Sequence, residues 1–376
     1  HILMPGGRKL SRHFGINRLV KIDTADLRRH RRTARNDFYA HPHTVMRQGK
    51  SCNAVLRGGL GNVILHRKTA IKEPEMELKQ HGRYDYSPIT ERPDYDWPDG
   101  KRLAFYIGMN IEHFSFGEGL GHTPTNPGVQ PDVRNFAWRD YGLRVGIWRV
   151  FELLEELGLP ACHLMNTSIY DYAPQIPARI RERGDEFVGH GITNSEQQGD
   201  YPEDEERALI NDATEAFKKY EGCGPGGWMG PWISESDYTP DLLEEAGYRF
   251  IMDWSCDDQP TWMRTRNGRL LMIPYHIEIN DSPAQLSRRH TASQFTEIVC
   301  GHFDEQMRQS QKQPLVFSLA LHTFVVGQPY RLAGLRNILT HIVNHTDADR
   351  IWFTKPGEIY GHVAALPPGT VPGDGS

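Results

Sequence analysis

Residues 103–113 read LAFYIGMNIEH, an apolar run that ends in an amide, a carboxylate and an imidazole. The run at 103–109 has the length of a fully buried strand and is too short for a core helix. Working outward, comparable short runs lie at 161–166, 186–189, 227–230, 249–253, 270–274, 315–321 and 350–353. Longer amphipathic stretches separate them. Val145, Trp148, Val150, Phe151, Leu154 and Leu157 sit near helical spacing, and 208–220 and 295–307 behave alike. Thr239-Pro240 ahead of Asp241, Leu242 and Leu243 offers an N-cap and a first-turn proline, with Gly247 as the stop. Such alternation marks repeated β/α units. The expected fold is α/β, a distorted (β/α) barrel with about seven parallel strands.

A chain of 376 residues with 38% hydrophobic and 24% charged residues can bury a sizeable core. No apolar run approaches the roughly 20 residues of a membrane-spanning helix, and the first residues lack the order of a secretion signal. A cytoplasmic location with no membrane partner is expected. Cys52, Cys162, Cys223, Cys256 and Cys300 are scattered without a CxxC spacing and read as reduced thiols. The net charge of -5 conceals a break: residues 1–75 hold 16 Lys and Arg against 5 Asp and Glu, whereas the remainder holds 27 against 43. Met76 stands at that break. The expected organisation is a basic extension at 1–75, appended or non-essential, a lead-in at 76–100, a catalytic barrel at 101–365 and a flexible tail at 366–376. The acidic main part repels phosphate, so no nucleic-acid partner is expected. The glycine-rich stretch at 58–61 lacks the Lys-Ser/Thr of a P-loop.

Polar residues gather where the strands end: Asn110 and Glu112 after the first, His190 after the third, Asp253 after the fifth and His322 after the seventh. Barrels of this class build their sites at such strand ends. Further along lie Gly227-Trp228-Met229-Gly230-Pro231-Trp232, Asp257-Asp258-Gln259-Pro260, Ile273-Pro274-Tyr275, Asn280-Asp281 and Gly327-Gln328-Pro329. Asn110-Ile111-Glu112, the segment 190–196, the segment 227–232, the region of 257–260, and Leu321-His322 with 327–329 resemble, in this order, the five motifs of the polysaccharide deacetylase (NodB-homology, carbohydrate esterase family four) superfamily, while 273–275 and 280–281 resemble one branch of it. The resemblance is greatest to an intracellular branch that includes cofactor-independent allantoinase, cyclic-imide hydrolases and a peptidoglycan-deacetylase-like group. It implies a hydrolase of non-peptide carbon–nitrogen bonds acting on a small amide, imide or acetylated sugar. A homo-oligomer is expected.

The departures from the family pattern shape the expected chemistry. A zinc deacetylase of this kind has an aspartate base where this chain has Asn110 and a second histidine where it has Asn194. Neither amide takes a proton near neutral pH or matches imidazole as a zinc ligand. Glu112 and His190 remain as good metal ligands, fewer than the three protein ligands of catalytic zinc, unless His113 or Glu196 completes the set. The expectation is therefore a site with no cofactor, zinc or another divalent metal being the alternative. Glu112 is expected as base, His322 as acid and His190 as the group that positions water or polarises the carbonyl. Asn110, Asn194, Trp228, Pro231, Trp232, Asp257 and Asp258 are the expected substrate-binding residues, although both asparagines equally suit backbone bonding and the tryptophans core packing. The competing readings are a zinc-dependent polysaccharide or peptidoglycan N-deacetylase and a catalytically lapsed amide-binding barrel.

Overall fold

The structure is a computed structural model that describes residues 79–118 and 130–373. The basic extension expected at 1–75 lies outside the described residues.

Nine strands form one sheet: β1 (Leu103–Ile111), β2 (Cys162–Met165), β3 (Glu186–Gly189), β4 (Gly227–Trp228), β5 (Phe250–Ile251), β6 (Thr261–Arg264), β7 (Arg269–Met272), β8 (Leu315–His322) and β9 (Ile351–Phe353). The order is β6-β7-β5-β4-β3-β2-β1-β8, with β9 also on β1. All pairs are parallel except β6 with β7, which form an antiparallel hairpin. Every expected strand is present. β6 was absent from the sequence reading, because its residues follow the polar stretch 257–260 and show no continuous apolar run.

β1 and β8 are the longest strands and are buried throughout, as their unbroken apolar sequences require. They pair in register from Leu103↔Leu315 to Asn110↔His322. β2 joins β1 at Asn110↔Leu164, and β3 follows β2 at Met165↔Gly189. These registers set the C-terminal ends of β3, β2, β1 and β8 level with one another. The strand ladder does not close from β7 to β8. The chain leaving β7 spans that gap, bridging in parallel at Asn280↔Ala320, and the carbonyl of Asp258 accepts the Val316 N–H at 2.8 Å. That chain brings Tyr275 against Gly108 of β1, where an added Cβ would stand 3.1 Å from the Tyr275 ring. A glycine inside a strand here permits close approach across the barrel.

Helices cover the outside. The helix Ile147–Leu157 buries Ile147, Val150, Phe151, Leu153 and Leu154 and stops at Gly158 in the left-handed region (φ 65°). The helix Ala292–Gln309 opens with a capping box between Thr291 and Gln294. The helix expected to start at Pro240 begins one residue earlier: Thr239, read as its cap, is its first residue, and its hydroxyl receives the Ser236 N–H at 2.8 Å and donates to Glu206.

The lead-in is fastened to the barrel. Arg83 forms a forked pair with Asp241 at 2.6 and 2.9 Å, Arg92 another with Asp257 at 2.8 and 2.7 Å, and buried Trp97 donates to the Leu315 carbonyl at 3.0 Å. The flexible tail expected from 366 is also corrected. Val371 is buried and the Pro372 carbonyl accepts the Trp262 N–H at 2.8 Å, so the chain is anchored as far as 372. Among the described residues no helix is long and apolar enough to cross a membrane.

Candidate active site

The β1–β8 register places His322 beside Asn110, with Glu112 two residues further along β1's exit. The Glu112 carboxylate then sits between two imidazoles: its Oε1 lies 3.5 Å from His322 Nε2 and 3.9 Å from His190 Nε2. Both separations exceed a good hydrogen bond. All three side chains are buried and line a cavity of about 220 Å³ together with Arg139, Trp232 and Tyr275. That volume falls below the usual range for ligand pockets.

Each ring has a fixed orientation. His190 Nδ1 lies 2.7 Å from the Met229 carbonyl, which only accepts, so Nδ1 carries a hydrogen and Nε2, buried without a protein partner, is left for the cavity. His322 Nδ1 lies 2.7 Å from Asp281 Oδ1, and its backbone N–H donates to Asp281 Oδ2 at 2.9 Å. Asp281 is fully buried, and burial raises its pKa against the pull of His322. Burial also opposes the charged forms of Glu112 and His322, but their neighbours prevail. His322, His190 and Arg139 hold the Glu112 carboxyl below the ordinary range, while Glu112 and Asp281 hold His322 above its own. The pairing therefore favours the carboxylate form of Glu112 and the protonated form of His322.

Asn110 is half committed to the scaffold. Its amide nitrogen donates to the Tyr275 hydroxyl at 2.7 Å and to the Leu321 carbonyl at 3.0 Å, which fixes the amide's orientation and leaves Oδ1 buried without a partner. That oxygen is an open hydrogen-bond acceptor in the cavity wall.

Several expected contact residues lie elsewhere. Asn194 is outside the cavity lining: its backbone N–H bonds the His113 carbonyl at 2.7 Å and its own carbonyl takes the Trp232 indole N–H at 3.0 Å, so it ties loops together. Trp228 is a core residue, fully buried and bonded to Gln198 at 3.1 Å. Pro231 is buried under the same turn. Asp257 holds Arg92, and Asp258 accepts from His276 at 2.9 Å. Trp232 does line the cavity, on a turn where it and Ile233 both have positive φ (66° and 54°), a costly conformation for such residues.

The donor set does not suit zinc. His113 turns outward, bonded to Ser168 Oγ at 2.9 Å and stacked on Tyr172, and Glu196 Oε2 bonds the Thr193 N–H at 3.0 Å. Among the described residues no three His, Cys, Asp or Glu side chains converge as a metal site.

Two further residues escaped the sequence reading. Asp281 stood in the motif Asn280-Asp281 without a role, and its polar neighbours Asn280 and Ser282 gave no sign that it would be buried. Arg139 gave none, lying 27 positions from Glu112 on a helix, Val133–Tyr141, of mixed polarity.

A family model described as "Polysaccharide deacetylase" matches residues 139–251. A putative polysaccharide deacetylase from Schizosaccharomyces pombe is 23% identical over 69% of this chain and 85% of its own length. A peptidoglycan deacetylase from Helicobacter pylori is 24% identical over 56% of this chain and 82% of its own. The crystal structure of Puue allantoinase superposes with a TM-score of 0.66 at 23% identity, covering 75% of this chain and 98% of that one. Matched domain and relatives agree with the motif order along β1, β3, β4 and β8: the chain carries a polysaccharide deacetylase domain match over 139–251, is similar to the deacetylases named above, and shares the fold of the superposed allantoinase.

Proposed function

We propose that this protein hydrolyses a non-peptide carbon–nitrogen bond of a small linear or cyclic amide or imide, with Glu112 as general base and His322 as general acid. The observation that carries the proposal is the pairing at 3.5 Å of a carboxyl held low with an imidazole held high, at the bottom of one cavity. Each shift runs in the direction that its task needs. Glu112 takes a proton from water as the water oxygen bonds to the carbonyl carbon. His322 delivers its Nε2 proton to the nitrogen as the carbon–nitrogen bond breaks. The proton on Glu112 then returns to His322 by way of product or solvent. The lone pair of His190 Nε2 orients the water, and Asn110 Oδ1 receives a substrate N–H. This scheme uses no cofactor.

A small cavity with an unsatisfied amide oxygen suits a planar amide or imide better than a polymer. The N-acetyl group of a sugar is the second reading, favoured by the kinship with a peptidoglycan deacetylase. The deciding experiment assays purified protein on allantoin, hydantoin, succinimide and N-acetylglucosamine oligomers, with Glu112→Gln as control. Ring opening lost in the variant supports the proposal. Acetate release alone transfers the activity to sugars, and silence on every compound leaves a binding protein.

A further inference from the structure

The reaction just proposed builds a negative charge on the carbonyl oxygen, and the side chains around Glu112 have largely spent their N–H donors. Asn110 gives its amide hydrogens to Tyr275 and Leu321, His190 gives Nδ1–H to Met229, and Trp232 gives its indole N–H to Asn194. The His322 Nε2 proton is reserved for the leaving nitrogen. The Tyr275 hydroxyl is a neutral donor. Arg139 is the permanent cation among the described lining residues.

Arg139 is only 3% exposed. Its guanidinium lies 4.5 Å over the Phe114 ring and 5.4 Å from that of Phe324, so aromatic faces on two sides fix its plane. Its helix, Val133–Tyr141, runs into Gly142, where an added Cβ would stand 2.6 Å from the Phe324 backbone nitrogen. Close packing there locks the helix onto the segment that follows His322. The guanidinium also lies within electrostatic reach of both Glu112 and His322.

We propose that Arg139 is a catalytic residue of this site, its guanidinium providing the fixed positive charge that stabilises the tetrahedral oxyanion. The inference rests on the hydrolytic reading above. In the resting site Glu112 is a negative partner for Arg139. When Glu112 accepts the water proton it becomes neutral, and the negative charge moves to the carbonyl oxygen in the same cavity. The charge seen by Arg139 is displaced and not lost, so a guanidinium held by two rings favours the transition state with little reorganisation.

The test compares Arg139→Ala, Arg139→Gln and Arg139→Lys with the wild type on whichever substrate the wild type hydrolyses, with circular dichroism checking the fold. The expected result is a fall in kcat of about 100- to 1,000-fold for Ala or Gln at nearly unchanged KM, the range for losing an oxyanion donor, and a smaller fall for Lys. Guanidinium ion added to Arg139→Ala should restore part of kcat and do nothing for Glu112→Gln. Should Ala fail to fold, the comparison of Gln with Lys carries the same contrast. A folded variant with normal kcat and raised KM would make Arg139 a ground-state binder, and absent rescue with kcat intact would remove it from the reaction; either overturns this inference while a dead Glu112→Gln keeps the hydrolase reading. A wild type silent on the whole series, or an active Glu112→Gln, overturns the hydrolase reading itself.

Discussion

Asp281 grips His322 twice, its Oδ1 lying 2.7 Å from the ring Nδ1 and its Oδ2 taking the backbone N–H at 2.9 Å. One carboxylate on the gap-spanning chain after β7 thus fixes both the place and the tautomer of a ring at the end of β8. Its charge helps hold the His322 pKa above the usual value. In Asp281→Asn that support is lost and the pKa of His322 falls, so the protonated acid disappears at a lower pH. The alkaline limb of the pH–kcat/KM profile should move to lower pH, with turnover at pH 8 reduced more than at pH 6. A profile that keeps its position would separate Asp281 from the acid.

Glu112→Gln keeps the size and hydrogen bonding of the side chain but cannot accept a proton, and His322→Ala removes the donor to nitrogen. Each should lower turnover by about 100-fold or more, the range for general acid–base catalysis. The two differ in binding: Glu112→Gln leaves substrate affinity within a few-fold by calorimetry, since its geometry is retained. Near-normal turnover in either variant would discard its assigned role.

The two parts of this site differed in how plainly the sequence displayed them. Buried parallel strands announce themselves as unbroken apolar runs, so β1, β2, β3 and β8 and the polar residues at their exits were readable one by one. Pairing was not: that Asn110 stands beside His322 is a register between strands more than 200 residues apart. Trp228 and Trp232 occupy the same motif with the same side chain, yet one is core and the other cavity wall, because the backbone turns into positive φ only at 232 and 233. The acids at 257 and 258 resembled site residues but hold the lead-in and fill the open flank of the sheet. Arg139 belongs to the cavity solely through helix packing, which has no local sequence signal.

Metal dependence follows from the donor set. Glu112 and His190 face the cavity, Asn110 presents an amide oxygen, and His113 and Glu196 are engaged elsewhere. Chelator treatment should leave wild-type turnover unchanged. Asn110→Asp adds a carboxylate beside Glu112 and His190, which raises the count of good ligands to three and should increase zinc content on metal analysis of the reconstituted protein. Stoichiometric zinc in the wild type, with activity lost on chelation and regained with zinc, would reverse the assignment and make Glu112 a ligand.

The turn that carries Trp232 into the cavity is underpinned by an acid pair. Glu235 and Asp253 are buried carboxyls that act on each other electrostatically; Asp253 Oδ1 takes the Gly230 N–H at 2.9 Å and Glu235 Oε2 takes the Trp254 indole N–H at 2.9 Å. Burial pushes both carboxyls up, Glu235 to about 7, and the charge of Glu206 adds to this for Glu235 while Arg83 opposes it. Unfolding releases Glu235 to an ordinary carboxyl near 4.5. Between that value and about 7 the native protein binds more protons than the unfolded chain, so stability must fall as pH rises through this window. Glu235→Gln keeps an oxygen for Trp254 and removes the titration, and without the neighbouring charge Asp253 ionises more easily. Its Tm should therefore decline less than that of the wild type between pH 5 and 8. The slope should not vanish, because burial also holds Glu186 of β3 near 7 with the same sign. Parallel Tm curves for the two proteins would show that titration of the pair does not set the stability of the turn.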